Sequence, residues 1–238
     1  MHYQKIGQVI IINKNDKKLA ERLLKKIPDT KTVMYKSGWI EGQFRQPKLK
    51  KLVGNGTETI HKEHGCLFKL DVSKIMWSKG NHLERLRITK LVKPGEIIVD
   101  MFAGIGYFSV PLAVHTKAKR IYSIEINPVA YGYLRENIEL NKIKNIEPIL
   151  GDCLNVDIDE KADRVLMGLL PSSKNYLLKA IDFVRSGGII HYHGIDEEEP
   201  KSLERDVKKV CENCKILQRV KIKSWGPRRY HWVLDVKV

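Results

Sequence analysis

From about residue 91 to its C-terminus the chain alternates short apolar runs with helix-length segments. That alternation constrains the fold more than any other feature, because parallel strands must be joined by crossover helices that pack on the sheet faces. The run 97–99, ended by Asp100, reads as a first strand. It leads into the turn Phe102-Ala103-Gly104-Ile105-Gly106 and a helix over 108–114. Strands follow at 120–125, 146–150 and 162–167, with a helix over 131–141 between the first two. A helix over 174–184 and Gly187-Gly188 lead to a fifth strand over 189–193, and residues 200–211 form a charged amphipathic helix. Two last apolar runs, 215–222 and 230–238, flank Ser224-Trp225-Gly226-Pro227 and predict a closing antiparallel hairpin. The expected class is α/β, a Rossmann-like domain with a seven-stranded sheet.

The first 70 residues read differently. A strand at 7–12 and a helix over 16–27 precede short strand-like pieces split by Gly38, Gly42, Pro47, Gly54 and Gly56. The expected organisation is a small α+β domain over 1–71 and the Rossmann-like domain over 72–238, with a helical stretch near 81–92 in the connection. No run approaches the roughly 18 to 20 apolar residues that span a bilayer, and Met1-His2-Tyr3-Gln4-Lys5 lacks the apolar core of a signal peptide. A cytoplasmic protein without membrane contact is expected. The four cysteines do not suggest a disulfide framework, and Cys211 and Cys214 lack a second ligand pair at metal spacing, so no metal is expected. Lys and Arg outnumber Asp and Glu by 43 to 28, giving +15 and a pI near 9.6. Heat-adapted surfaces enrich Glu along with Lys, whereas here the acids lag, so the charge points to a nucleic-acid partner.

In a doubly wound sheet the ligand lies outside the carboxyl ends of the strands. Asp100, Ala103 and Gly104 form a small-residue turn after the first strand. It lacks the G-x-G-x-x-G of a dinucleotide fingerprint, which argues against a pyrophosphate cradle. Glu125 follows by about twenty residues, the spacing at which a carboxylate takes both ribose hydroxyls. Asp152, with Cys153 beside it, ends the third strand and suits an adenine amino group. Any one acid alone serves equally as a helix cap or a solvated loop residue. Three at successive strand ends describe an adenosine pocket without a phosphate site, which fits S-adenosylmethionine, and seven strands ending in a hairpin match the class I transferases that use it.

The segment Asp100-Met101-Phe102-Ala103-Gly104-Ile105-Gly106-Tyr107-Phe108-Ser109, with Glu84-Arg85 before it and Ile124-Glu125-Ile126-Asn127-Pro128 after it, resembles the tRNA-modifying enzymes that act on the purine 3′ of the anticodon. Their guanosine N1-methyltransferase branch has Asn-x-Pro-Pro after the fourth strand, where this chain has Met167-Gly168-Leu169-Leu170-Pro171-Ser172-Ser173. That run, with Met76-Trp77-Ser78-Lys79-Gly80-Asn81, is similar to the wybutosine-synthesis aminocarboxypropyltransferases. The resemblance implies transfer of the 3-amino-3-carboxypropyl group of S-adenosylmethionine to carbon 7 of 4-demethylwyosine at position 37 of tRNA-Phe, within the anticodon loop. It also implies that Ser78 and Arg85 hold the methionine arm, and it points to no stable protein partner. No general base is marked by spacing, so the catalytic residues stay unassigned. His191 and His193 read as structural strand residues, Ser172 and Ser173 equally as helix caps, and Arg85 equally as a surface partner of Glu84 or Glu96. Arg228 and Arg229 are open to RNA phosphates, and the run Pro47-Lys48-Leu49-Lys50-Lys51 is the candidate RNA contact of the first domain. A base methyltransferase and a non-catalytic tRNA-binding module are the competing readings.

Overall fold

The computed structural model describes residues 3–38, 42 and 44–238, and so leaves Met1 and His2 of the N-terminal reading outside the described residues. The chain divides into two compact units, Met1–Ser78 and Lys79–Val238.

In the smaller unit, β1 (Tyr3–Ile6), β2 (Val9–Ile12), β3 (Thr32–Lys36) and β4 (Leu49–Gly54) form a sheet in that order, crossed by α1 (Lys17–Lys26). Asp16 caps α1 by accepting from the Leu19 N–H at 2.8 Å, and Ile10, Ile12, Ala20, Leu23 and Val33 close the core. Where the sequence suggests one strand over 7–12, the structure has a β1–β2 hairpin. Gly7 turns the chain at φ +52°, and a Cβ there would lie 2.4 Å from the Ile60 carbonyl oxygen. A second hairpin pairs β5 (Glu58–Glu63) with β6 (Cys66–Asp71). Trp77 packs edge-on against His61 and Phe68, with ring centroids 4.7 and 4.9 Å away. Residues 72–78 therefore belong to the smaller unit, and the division falls after Ser78 instead of after residue 71.

The larger unit opens with a 3-10 turn, Lys79–Asn81, and α2 (His82–Leu91). Then come β7 (Ile97–Asp100), α3 (Ser109–His115), β8 (Arg120–Glu125), α4 (Pro128–Leu140), β9 (Ile146–Leu150) and β10 (Ala162–Met167). The chain ends with a 3-10 turn (Lys174–Tyr176), α5 (Leu177–Phe183), β11 (Val184–Asp196), α6 (Lys201–Val210), β12 (Lys215–Gly226) and β13 (Arg229–Lys237). One seven-stranded sheet results, in the order β12-β13-β11-β10-β7-β8-β9, antiparallel only at the β13 pairings. The closing hairpin turns on Pro227 and Arg228, with Arg228 at φ +54°, so Ser224 and Trp225 lie in β12 and not in the turn. Cys211 and Cys214 are joined by a disulfide just after α6, a bond their spacing did not lead us to expect. Among the described residues no helix is long and apolar enough to cross a membrane.

Candidate functional site

The parallel strands bring three acids to one edge. Asp100 ends β7 and pairs with Ser123, two residues before Glu125 ends β8, while Glu125 pairs with Leu150 of β9, followed by Asp152. Between β7 and α3 the backbone must turn sharply, and Gly104 and Gly106 do so at φ +59° and +92°, in the left-handed region. A Cβ on Gly104 would also stand 2.4 Å from the Tyr107 ring. The Gly104 N–H donates to Glu125 Oε2 at 2.7 Å and the Asn127 N–H to Oε1 at 2.8 Å, which clamps the carboxylate between the turn and the start of α4. Burial raises the Glu125 pKa, against the pull of these amides. Each carboxylate oxygen retains a further acceptor position.

Asp100 is fully buried beneath this turn. Its Oδ2 accepts from Ser109 Oγ at 2.7 Å, and Ser109 Oγ accepts in turn from Ser123 Oγ at 2.8 Å. Burial pushes its pKa up to about 6, even with the Ser109 and Phe102 hydrogen bonds favouring the ionised form. It braces the loop from below. Ala103, also buried, donates its N–H to the Ile124 carbonyl at 2.9 Å, stitching the turn to β8. Asp152 Oδ1 accepts from the Leu154 N–H at 3.0 Å. The buried Cys153 thiol is pushed up to about 12, by burial first and then by the Asp152 charge, so it is a packing residue and not a nucleophile. Phe102 and Tyr176 meet edge to face with centroids 5.0 Å apart beside it.

Arg85 lies buried on α2, not on a surface. Glu84 and Glu96 each hold another arginine. Arg87 grips Glu84 through Nε and Nη2 at 2.7 and 2.8 Å, and Arg164 grips Glu96 at 3.0 and 3.1 Å. These pairs end a chain of buried contacts that the sequence did not reveal. Arg164 Nη1 approaches His191 Nε2 at 2.7 Å, His191 Nδ1 approaches Asp235 Oδ1 at 2.6 Å, and Asp235 takes Arg87 at 2.6 and 3.0 Å. A guanidinium only donates, so His191 Nε2 accepts and Nδ1–H donates to Asp235. Burial alone would raise the Asp235 pKa, but the His191 and Arg87 hydrogen bonds outweigh it and hold the carboxyl well below the usual range. The chain locks α2, and with it Arg85, to β10, β11 and β13. Charged residues inside apolar strands, Arg164 and Asp235, were its signal, since a buried charge requires a partner.

The loop after β10 is pinned to β11. Ser172 bridges Gly194, the Ile195 N–H donates to the Pro171 carbonyl at 3.1 Å, and buried Ser173 Oγ donates to the His193 carbonyl at 3.3 Å. Ser172 Oγ accepts from the Lys174 N–H at 3.3 Å, a local turn contact. Ser78 closes the smaller unit, immediately before the 3-10 turn that begins the larger one.

A seven-stranded sheet with a small-residue turn, a clamped carboxylate at the second strand end and no phosphate cradle defines a Rossmann-like transferase of the S-adenosylmethionine-dependent class. Residues 59–221 match the TRM5/TYW2 methyltransferase domain, and the chain belongs to that family. It is 45% identical over 242 residues to the tRNA(Phe) (4-demethylwyosine(37)-C(7)) aminocarboxypropyltransferase of Methanocaldococcus jannaschii, covering 99% of this chain and 97% of that protein. It is 38% identical to tRNA (guanine(37)-N(1))-methyltransferase Trm5b of Pyrococcus abyssi, over 93% of this chain and 68% of that protein. Among solved structures, M. jannaschii TYW2 in complex with AdoMet superposes with a TM-score of 0.81 at 41% identity, covering 99% of this chain and 98% of that one. The complex of aTrm5 and tRNALeu gives a TM-score of 0.91 at 38% identity, covering 100% of this chain and 72% of that one.

Proposed function

We propose that this protein transfers the 3-amino-3-carboxypropyl group of S-adenosylmethionine to carbon 7 of 4-demethylwyosine at position 37 of tRNA-Phe, in the anticodon loop, and that it acts in the cytoplasm. The observation that carries this reading is the loop Gly168–Ser173. It follows β10, holds no side-chain amide, and is fixed to β11 by its own backbone. Without a side-chain amide it lacks the paired donor and acceptor that would match a base-amide edge, whereas a ring carbon needs neither. The relative most similar in both length and identity among those above bears the aminocarboxypropyltransferase name.

The residues present fit an adenosine. Gly104 leaves its backbone open because a side chain there would strike Tyr107. Glu125 keeps acceptor positions for two ribose hydroxyls, Asp152 accepts from the adenine amino group, and Ala103 and Cys153 pack beside the nucleoside. Asp100 holds the turn that carries them. Arg85 takes the methionine carboxylate through two parallel hydrogen bonds, a geometry lysine cannot offer, and Ser78 joins it on the strength of the family motif. Bound here, S-adenosylmethionine supplies the electrophilic carbon: the base carbon bonds to it, sulfur keeps the electron pair of the broken bond as methylthioadenosine, and the ring proton leaves to water. The methyl is the least hindered of the three sulfonium substituents, so positioning of the longer arm decides the outcome.

The test is label transfer to tRNA bearing 4-demethylwyosine, using S-adenosylmethionine labelled in the methyl or in the methionine carboxyl carbon. Carboxyl label without methyl label is expected. Methyl label alone would make the enzyme a base methyltransferase, and no label from either would leave a binding module.

A further inference from the structure

The β12–β13 hairpin does not stop at the level of the strand-end acids. Across the sheet Asp100 is level with Leu166, His191 and Asp235 in turn, and from Asp235 the strand β13 runs six residues further, to Arg229. At about 3.3 Å per residue this carries the hairpin tip roughly 20 Å past the level of Asp100, with β11 alongside as far as Asp196 opposite Tyr230, and the tip lies about three to four strand spacings, or ~14–19 Å, to the side of Asp100. Its stem is held firmly. The Trp232 indole N–H donates to the Glu197 carbonyl at 2.9 Å, Lys221 lies 3.9 Å over the Tyr230 ring, and Lys221 pairs with Glu198 at 2.7 Å.

Basic residues along β12 alone would mean little, because an edge strand is commonly guarded by charge, and Arg219 and Lys221 have acidic partners. The tip differs. Trp225 is 43% exposed on this edge strand, and Arg228 and Arg229 are exposed without an ion-pair partner among the described residues. An exposed indole on a sheet edge invites aggregation unless something covers it. An aromatic flanked by unpaired guanidinium groups is what single-stranded or looped RNA selects, since bases stack on the ring while phosphates take the arginines.

We infer that the hairpin tip is an RNA-docking surface, on which a base of the substrate RNA outside the reacting position stacks against Trp225 while Arg228 and Arg229 hold adjacent phosphates. This rests on the tRNA-modifying reading above. It assigns the tip to recognition and leaves cofactor binding to the strand-end site.

The test measures affinity for a tRNA-Phe transcript by filter binding, and S-adenosylmethionine affinity by calorimetry, in Trp225→Ala, Trp225→Phe and Arg228→Ala/Arg229→Ala. Trp225→Ala should weaken RNA binding about 5- to 100-fold, with Trp225→Phe restoring most of it. The arginine variant should flatten the salt dependence of RNA affinity by about one to two in logarithmic slope. Cofactor affinity should not change in any of them. Unchanged RNA binding in both Trp225→Ala and the arginine variant would overturn the proposal, as would a parallel loss of cofactor affinity. The label experiment on the unaltered enzyme judges the aminocarboxypropyl reading separately, because RNA affinity is read here without turnover.

Discussion

At the scale of single residues, two carboxylates one strand apart do different work. Glu125 offers lone pairs to a ligand while two backbone amides hold it in place. Glu125→Gln keeps the shape but turns one oxygen into an NH2 group, which then faces an amide N–H donor. S-adenosylmethionine should bind about 10- to 100-fold more weakly by calorimetry, the loss of one hydrogen bond with its partner left unmet. Unchanged affinity would move the ribose elsewhere. Asp100 is instead a cost the fold bears. Its pKa of about 6 lies above that of an unfolded carboxylate, so the folded chain holds the proton more tightly. The stability this contributes is present below about pH 4 and is lost as pH rises through about 6. Asp100→Asn removes the titration. Measured by urea unfolding, the stability of the variant relative to the unaltered chain should improve by about 2.5 kcal/mol between pH 4 and pH 7.5. A difference that ignores pH would contradict a buried, titrating Asp100. The sequence made both acids visible by position but not by role, because burial depends on what closes over a strand end.

At the scale of elements, the parallel strands were legible because each is a short, largely apolar run set off by helix-length segments, and β9 and β10 fall at the residues expected, 146–150 and 162–167. α2 was legible as a helix but not in orientation. Its buried side chains are Glu84, Arg85 and Ile88, so no apolar stripe marks the inner face. Its seat is electrostatic, through Arg87 to Asp235 and Glu84. The apolar run Val9–Ile12 likewise masked the short β1 and the turn at Gly7 before it, and the Gly-Pro pair drew the expected hairpin turn two residues too early, since β12 continues through Gly226. Asp235→Asn tests the seat of α2. It leaves Arg87 and His191 short of an acceptor inside the protein, and breaking a buried ion pair in this way costs about 3–5 kcal/mol. Denaturant unfolding should show that loss, together with faster hydrogen exchange in α2 and weaker S-adenosylmethionine binding through the displaced Arg85. A stability loss with α2 exchange unchanged would mean that the pair serves the sheet alone.

At the scale of the molecule, the positive charge is unevenly spread. Residues 1–78 carry 16 Lys and Arg against 7 Asp and Glu, while residues 79–238 carry 27 against 21. Composition announced a polyanionic partner but could not say which lysines face it. Within the smaller unit the run read from the sequence places Lys50 and Lys51 on β4, an edge strand, where lysine also discourages edge-to-edge pairing. A groove of about 810 Å³ elsewhere in the same unit is lined by Lys5, Lys31, Lys62 and Lys69, drawn from four separate segments and so invisible as a run. Lys69 is paired with Glu58 at 3.2 Å and Lys5 donates to the Pro28 carbonyl at 2.7 Å, which leaves Lys31 and Lys62 as the better phosphate donors. Counterion release makes the two lysine sets separable, since each phosphate contact removed lowers the logarithmic salt slope by about 0.7 to 0.9. Lys31→Gln/Lys62→Gln should therefore flatten the salt dependence of tRNA affinity by about 1.5, and Lys50→Gln/Lys51→Gln should leave it nearly unchanged. The reverse result would return RNA contact to the β4 edge and make the groove a solvated recess. Loss of slope in both variants would mean that RNA lies across the whole face of the unit.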